Sequence, residues 1–123
     1  MNTEKRLQVV SFEQAKRLKA AGFYWEYFDS VYSDDGELVS VPFADVYETP
    51  APTVALALKW ARDVKQIFGV ICLYDNGDRL LFWFALKDAK GENTEVPLDA
   101  PTYEQAESAM LDAVLDEIEK EGG

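Results

Sequence analysis

Val70-Ile71-Cys72-Leu73-Tyr74, then Asp75-Asn76-Gly77-Asp78, then Arg79-Leu80-Leu81-Phe82-Trp83-Phe84-Ala85-Leu86 is the stretch that decides the fold of this chain. Two apolar runs flank an Asn-Gly pair. That pair suits the type I′ turn, whose twist matches that of paired antiparallel strands. Leu80 to Leu86 is almost continuously apolar, which predicts a central strand covered on both faces. Downstream, Lys87 to Asn93 reads as a polar loop and Thr94 to Leu98 as a short edge strand, because Pro97 cannot donate to a central ladder.

Upstream of the hairpin, Thr53 is the N-cap of a predicted helix that ends before Gly69. Its apolar stripe is Ala57, Trp60, Ala61, Val64 and Ile67, with Lys59, Arg62, Asp63 and Lys65 outside it. A second hairpin precedes that helix. Phe28 to Tyr32 and Glu37 to Val41 are joined by Ser33-Asp34-Asp35-Gly36, and Pro42 to Pro52 follows as a loop.

Ser11-Phe12-Glu13-Gln14-Ala15 and Thr102-Tyr103-Glu104-Gln105-Ala106 open the two outer helices. In each, a hydroxyl residue stands three positions before a Gln, the capping-box pattern that satisfies backbone N–H groups of a first helical turn. The first helix runs to about Ala21 on a Phe12, Ala15, Leu18 stripe, with Gly22 as its left-handed stop. The last runs to about Lys120. Ala106, Met110, Ala113, Val114 and Ile118 face the sheet, while Glu107, Asp112, Asp116, Glu119 and Glu121 face water. Acidic groups in its last turns oppose the helix dipole, so that end is expected to fray. The expected class is α+β, with three helices packed on an antiparallel sheet of two hairpins in the order α-β-β-α-β-β-(β)-α. At 123 residues one domain is expected, 1–123, with frayed ends at about 1–5 and 119–123.

Apolar residues make up 48% of the chain and aromatics 13%, a composition that can fill a core. Cys72 is the only cysteine, which excludes an intramolecular disulfide, and its apolar run makes it a small core hydrophobe. No apolar run approaches the ~18 residues of a membrane span, and no long apolar stretch follows the charged N-terminus. A cytoplasmic protein with no membrane partner is therefore expected.

Three blocks together resemble a group of small uncharacterised proteins from bacterial genomes, bacteriophages and mobile elements. They are Ser11-Phe12-Glu13-Gln14-Ala15-Lys16 running on to Gly22-Phe23, Ala51-Pro52-Thr53 running on to Ala57, Lys59-Trp60 and Arg62, and Thr102-Tyr103-Glu104-Gln105-Ala106. The resemblance lies in cap and helix-face residues and brings no established activity. It implies an accessory role in a phage or mobile element and assigns no site residue.

The chain has no histidine, which removes the commonest general base and metal ligand. Its seven glycines are dispersed, with no phosphate-binding loop, and one Cys without His does not make a zinc site. No catalytic residue, cofactor or metal site is expected. The formal net charge is −11, with seven acidic groups and no basic one in residues 23–52. Direct nucleic-acid binding, which needs clustered Lys and Arg, is not expected. Asp34, Asp35 and Glu37 cluster at one hairpin tip and Asp75 with Asp78 at the other, where turn formation accounts for them.

The candidate contact surface is Tyr24, Trp25, Tyr27, Asp29, Asp34, Asp35, Glu37, Asp45 and Glu48. Exposed Tyr and Trp beside carboxylates anchor a basic protein partner, and core packing is the competing reading of Trp25. Trp60 and Trp83 are read as core. The leading expectation is a non-enzymatic, acidic protein-binding accessory domain. Its alternatives are a small-molecule-binding or enzymatic cleft between sheet and helices, and a nucleic-acid mimic using Asp29, Asp34, Asp35, Glu37, Asp45 and Glu48. Self-association through an aromatic face or an edge strand also stays open.

Overall fold

The computed structural model describes residues 8–23, 30–33, 35–40, 49–75 and 77–122. The protein is α+β and divides into two compact units, Met1–Ala57 and Leu58–Gly123. Among the described residues no helix is long and apolar enough to cross a membrane.

In the first unit, α1 spans Phe12–Ala20 and its cap has the predicted chemistry. The Gln14 N–H donates to Ser11 Oγ at 3.1 Å, and the Ser11 N–H donates to Gln14 Oε1 at 2.9 Å. This reciprocal pair accounts for Gln14 being the buried polar residue on an otherwise apolar face with Ala15 and Leu18. At the other end Gly22 takes φ +91°, and the Phe23 N–H reaches back to Leu18 O at 2.9 Å. That is a Schellman stop, which turns the buried Phe23 toward the helix it has just left.

Strands β1 (Ser30–Tyr32) and β2 (Leu38–Ser40) form the expected first hairpin. The segment read as a loop from Pro42 to Pro52 ends instead in a two-residue strand, β3 (Thr49–Pro50), antiparallel to β1. The order β2-β1-β3 places proline on an edge strand, where proline is tolerated. The chain before α1 pairs with the chain before α2 (Val54–Trp60). The Val10 N–H donates to Pro52 O at 3.0 Å and the Val54 N–H to Gln8 O at 2.8 Å. The Tyr32 hydroxyl donates to Val10 O at 2.6 Å, and its ring lies 5.3 Å from that of Phe12. Burial raises the Tyr32 phenol above its ordinary pKa.

The second helix starts where Thr53 predicts, with the Leu56 N–H on Thr53 Oγ1 at 3.1 Å. Beyond Trp60 it widens into π-helical turns over Ala61–Lys65, and the Gln66 N–H bonds Ala61 O, five residues back. Gln66 itself is left-handed, at φ +59°. Widening changes the angular phase of each later residue. Trp60, Ala61 and Ile67 are buried as predicted, but Val64 is 58% exposed, off the stripe an uninterrupted α-helix would have given it. On the outer side Lys59 Nζ meets Asp63 Oδ2 at 2.6 Å, and that hydrogen bond holds the Asp63 carboxyl below its usual range.

The second unit carries its own antiparallel sheet, β4 (Phe68–Asp75), β5 (Leu80–Lys87) and β6 (Asn93–Ala100), in the order β4-β5-β6. The two hairpins thus belong to separate three-stranded sheets, because each gains a third strand of its own. β5 is central, as its apolar run predicts, and β6 is an edge longer than expected. Helix α3 (Tyr103–Gly122) packs across the sheet, starting with the Gln105 N–H on Thr102 Oγ1 at 3.1 Å. Ala106, Met110, Val114 and Ile118 are buried as predicted, and so are Leu111 and Leu115, which widen the apolar stripe. The helix continues to Gly122.

Candidate functional site

Side chains alternate along a strand, so one observation sorts the second sheet into two faces. Gly69 pairs with Leu86, and a Cβ built on Gly69 would stand 2.6 Å from Sδ of Met110 on α3. The face carrying Gly69, Ile71, Phe84 and Leu86 is therefore the face under α3. Phe68, Val70, Cys72 and Tyr74 of β4, and Trp83 and Ala85 of β5, belong to the other. The expectation that β5 is covered on both faces holds in part: on the side away from α3 Leu81 is buried too. Phe84 and Leu86 are buried beneath the helix, while beyond Leu81 on the opposite side Trp83 and Ala85 are only half-buried. Cys72 is likewise half-buried rather than core, and Phe68 and Val70 are 47% and 57% exposed.

A groove of about 460 Å³ opens on that second face, lined by Tyr74, Trp83, Glu95, Pro97, Leu98 and Asp99. An irregularity in the β5–β6 ladder forms it. Phe82 pairs with Ala100 and Phe84 with Val96, so three residues, Pro97, Leu98 and Asp99, stand opposite Trp83 alone. A bulge of this kind bends a strand and re-aims its side chains, and proline is tolerated there because it has no ladder bond to make. The Tyr74 hydroxyl spans the sheet to donate to Asp99 Oδ1. That bond, ahead of desolvation, raises the Tyr74 phenol above its ordinary pKa, because ionising it would break the bond and set two negative charges side by side.

Chemically the groove offers an indole, a phenol ring, a proline and a leucine side chain, with the carboxylates of Glu95 and Asp99 at its rim. This set accommodates a long cationic side chain: apolar walls for the stem, an aromatic face and carboxylates for the charge. Among the described residues no three His, Cys, Asp or Glu side chains converge to hold a metal ion.

Of the contact surface read from the sequence, Asp35 and Glu37 are described, and the structure places both on the β1–β2 turn. Ser33 ties them together there. Its hydroxyl donates to Asp35 Oδ1, its Oγ accepts the Glu37 N–H at 3.2 Å, and its N–H donates to Glu37 O at 2.9 Å. Hydrogen bonds from Ser33 and then the Glu37 backbone hold the Asp35 carboxyl below its usual range. Both residues shape the turn. Tyr24, Trp25, Tyr27, Asp29, Asp34, Asp45 and Glu48 lie outside the described residues. The groove residues were not singled out from the sequence. Trp83 was hidden in a run that reads as core, whereas Trp60 is indeed buried. The usable signal was Pro97 in an edge strand between two acids, Glu95 and Asp99.

No protein-family model matches the chain, nor does any curated protein or solved structure.

Proposed function

We propose that this chain is a non-enzymatic binding module whose groove takes a basic segment of another protein. The observation that carries this reading is the company Trp83 keeps: Tyr74, Pro97 and Leu98 beside it, with Glu95 and Asp99 at the rim. A lysine or arginine side chain would lay its aliphatic stem along Pro97 and Leu98 and its charge against an aromatic face and a carboxylate. The Tyr74–Asp99 bond holds one wall in place before binding, which lowers the ordering cost of association. A net charge of −11 draws a basic partner toward the surface and repels acidic ones. The phage or mobile-element context implied by the sequence resemblance is compatible with this reading and adds no residue to it.

The test compares two synthetic peptides of equal length, one with alternating Arg and Gly, the other with Glu in place of Arg. Fluorescence anisotropy measures each against the wild type and against Glu95→Lys, an exposed charge reversal at the rim. The basic peptide should bind, the acidic one should not, and Glu95→Lys should weaken binding about tenfold. Equal affinity of wild type and variant for the basic peptide would remove the groove from the account.

A further inference from the structure

On the face away from α3, the ladder sets side chains of the second sheet in rows. Val70, Ala85 and Glu95 share one row. Cys72 and Trp83 begin the next, with Pro97, Leu98 and Asp99 crowded into its third place. Tyr74 and Leu81 lie in the row beyond. Trp83 therefore has two diagonal neighbours on its own face, Glu95 on one side and Tyr74 on the other, at the spacing that long and aromatic side chains bridge. The two ends differ. At the Tyr74 end the hydroxyl crosses β5 to Asp99 Oδ1, which fixes the phenol ring and engages one carboxylate oxygen. At the other end Glu95 is exposed, and its neighbour in the row is an alanine, which keeps the floor low between Trp83 and the carboxylate.

Resting on the reading of the groove as a site for a basic segment, we propose that it selects arginine over lysine. A guanidinium is a flat fork of five donors, whereas an ammonium is a compact point charge. Laid on the Trp83 indole, a guanidinium keeps its N–H groups in its own plane. Its edge can then reach Glu95 through two parallel hydrogen bonds while its face stays on the ring. An ammonium has neither a face to stack nor a fork to match the carboxylate. Hydration works in the same direction. Glu95 and Asp99 are exposed, so a lysine keeps most of its water there and gains little from either charge. The more weakly hydrated guanidinium leaves water for an aromatic face at lower cost. Net charge does not discriminate, because a surface of −11 draws both cations alike. Selection comes from Trp83 and Glu95 acting on one flat group.

Fluorescence anisotropy on the full chain tests the proposal with three labelled peptides of equal length. One alternates Arg and Gly, one alternates Lys and Gly, and the third is the Arg-Gly peptide with every arginine dimethylated. Methylation keeps the charge of arginine and blocks its bidentate hydrogen bonding. The wild type should bind Arg-Gly about tenfold more tightly than Lys-Gly, and the dimethylated peptide should fall to the lysine level. Glu95→Gln and Trp83→Leu should each bring Arg-Gly close to Lys-Gly, with circular dichroism unchanged. Should Trp83→Leu fail to fold, the exposed Glu95→Gln and the dimethylated peptide decide the matter. Equal binding of Arg-Gly and Lys-Gly, both weakened by Glu95→Lys, would overturn arginine selection and leave the groove reading standing. An arginine preference that survives both Glu95→Gln and dimethylation would overturn it as well. A wild type that binds neither basic peptide would overturn the groove reading and this proposal together.

Discussion

Met110 Sδ occupies the space that a side chain on Gly69 would need, 2.6 Å from where its Cβ would be. The glycine is in ordinary strand conformation, so its role is to let α3 settle onto β4 rather than to permit an unusual backbone angle. Leu86 Cδ2, at 3.2 Å from the same point, closes the other side. Gly69→Ala should therefore destabilise the protein by about 1–2 kcal/mol, since the methionine tail must move. Met110→Ala alone should cost about 2–5 kcal/mol through the cavity it leaves. In the double variant the new methyl enters that cavity, so the combined loss in urea denaturation should be smaller than the sum.

Two glycines with almost the same backbone angle separate strain from crowding. Gly36 (φ +87°) has the Phe12 ring 3.1 Å from its would-be Cβ, while Gly91 (φ +85°) faces open space. Gly91→Ala should cost about 1 kcal/mol from left-handed strain alone. Gly36→Ala should cost measurably more, because Phe12 must also give way and with it the Phe12–Tyr32 contact. Thermal unfolding of the two variants makes the comparison.

Ser11→Ala should lower stability by about 1 kcal/mol, as the loss of an N-cap acceptor does elsewhere. The consequence extends past the cap, because Gln14 is buried and its side chain is oriented by the Ser11 N–H. Thr102→Ala removes the equivalent acceptor at an exposed helix start and should cost no more than Ser11→Ala. Chemical denaturation of both variants ranks them.

Tyr74 should ionise late. Its phenol is raised above the ordinary value of 10.0 first by the bond to Asp99, then by desolvation. A raised folded-state value means that the neutral form is the stabilised one. The contribution is full below pH 10 and is lost as pH climbs through the higher folded value. Ultraviolet titration of the phenolate should show Tyr32, Tyr74 and Tyr103 ionising above the ordinary tyrosine value of 10.0, since burial raises the other two. Tyr74→Phe should remove one late group, and Asp99→Asn should bring the Tyr74 transition earlier.

The helix starts at Ser11, Thr53 and Thr102 and the pairing of β4 with β5 were legible because each depends on a few neighbouring residues, although Asn76 of the predicted turn lies outside the described residues. What could not be read depended on distant partners. Val64 left its stripe because the helix widens after Trp60, and no local residue announces that change. The pairing of Thr49–Pro50 with β1 depends on the path of the chain, which short-range signals do not carry. Trp83 sits in a run that would be buried in a sheet covered twice. Its exposure follows from α3 lying on one side only and from the β6 bulge on the other, neither of which is written near residue 83.

The most direct test of the account follows backbone amides and Trp indole resonances by heteronuclear NMR while the Arg-Gly peptide is added. The groove reading predicts shifts concentrated at Tyr74, Trp83, Glu95, Leu98 and Asp99, with the Trp83 indole among the largest. In Glu95→Lys these shifts should be lost. Shifts spread evenly over the acidic outer face of α3, at Asp112, Asp116 and Glu119, with the Trp83 indole unmoved, would contradict it.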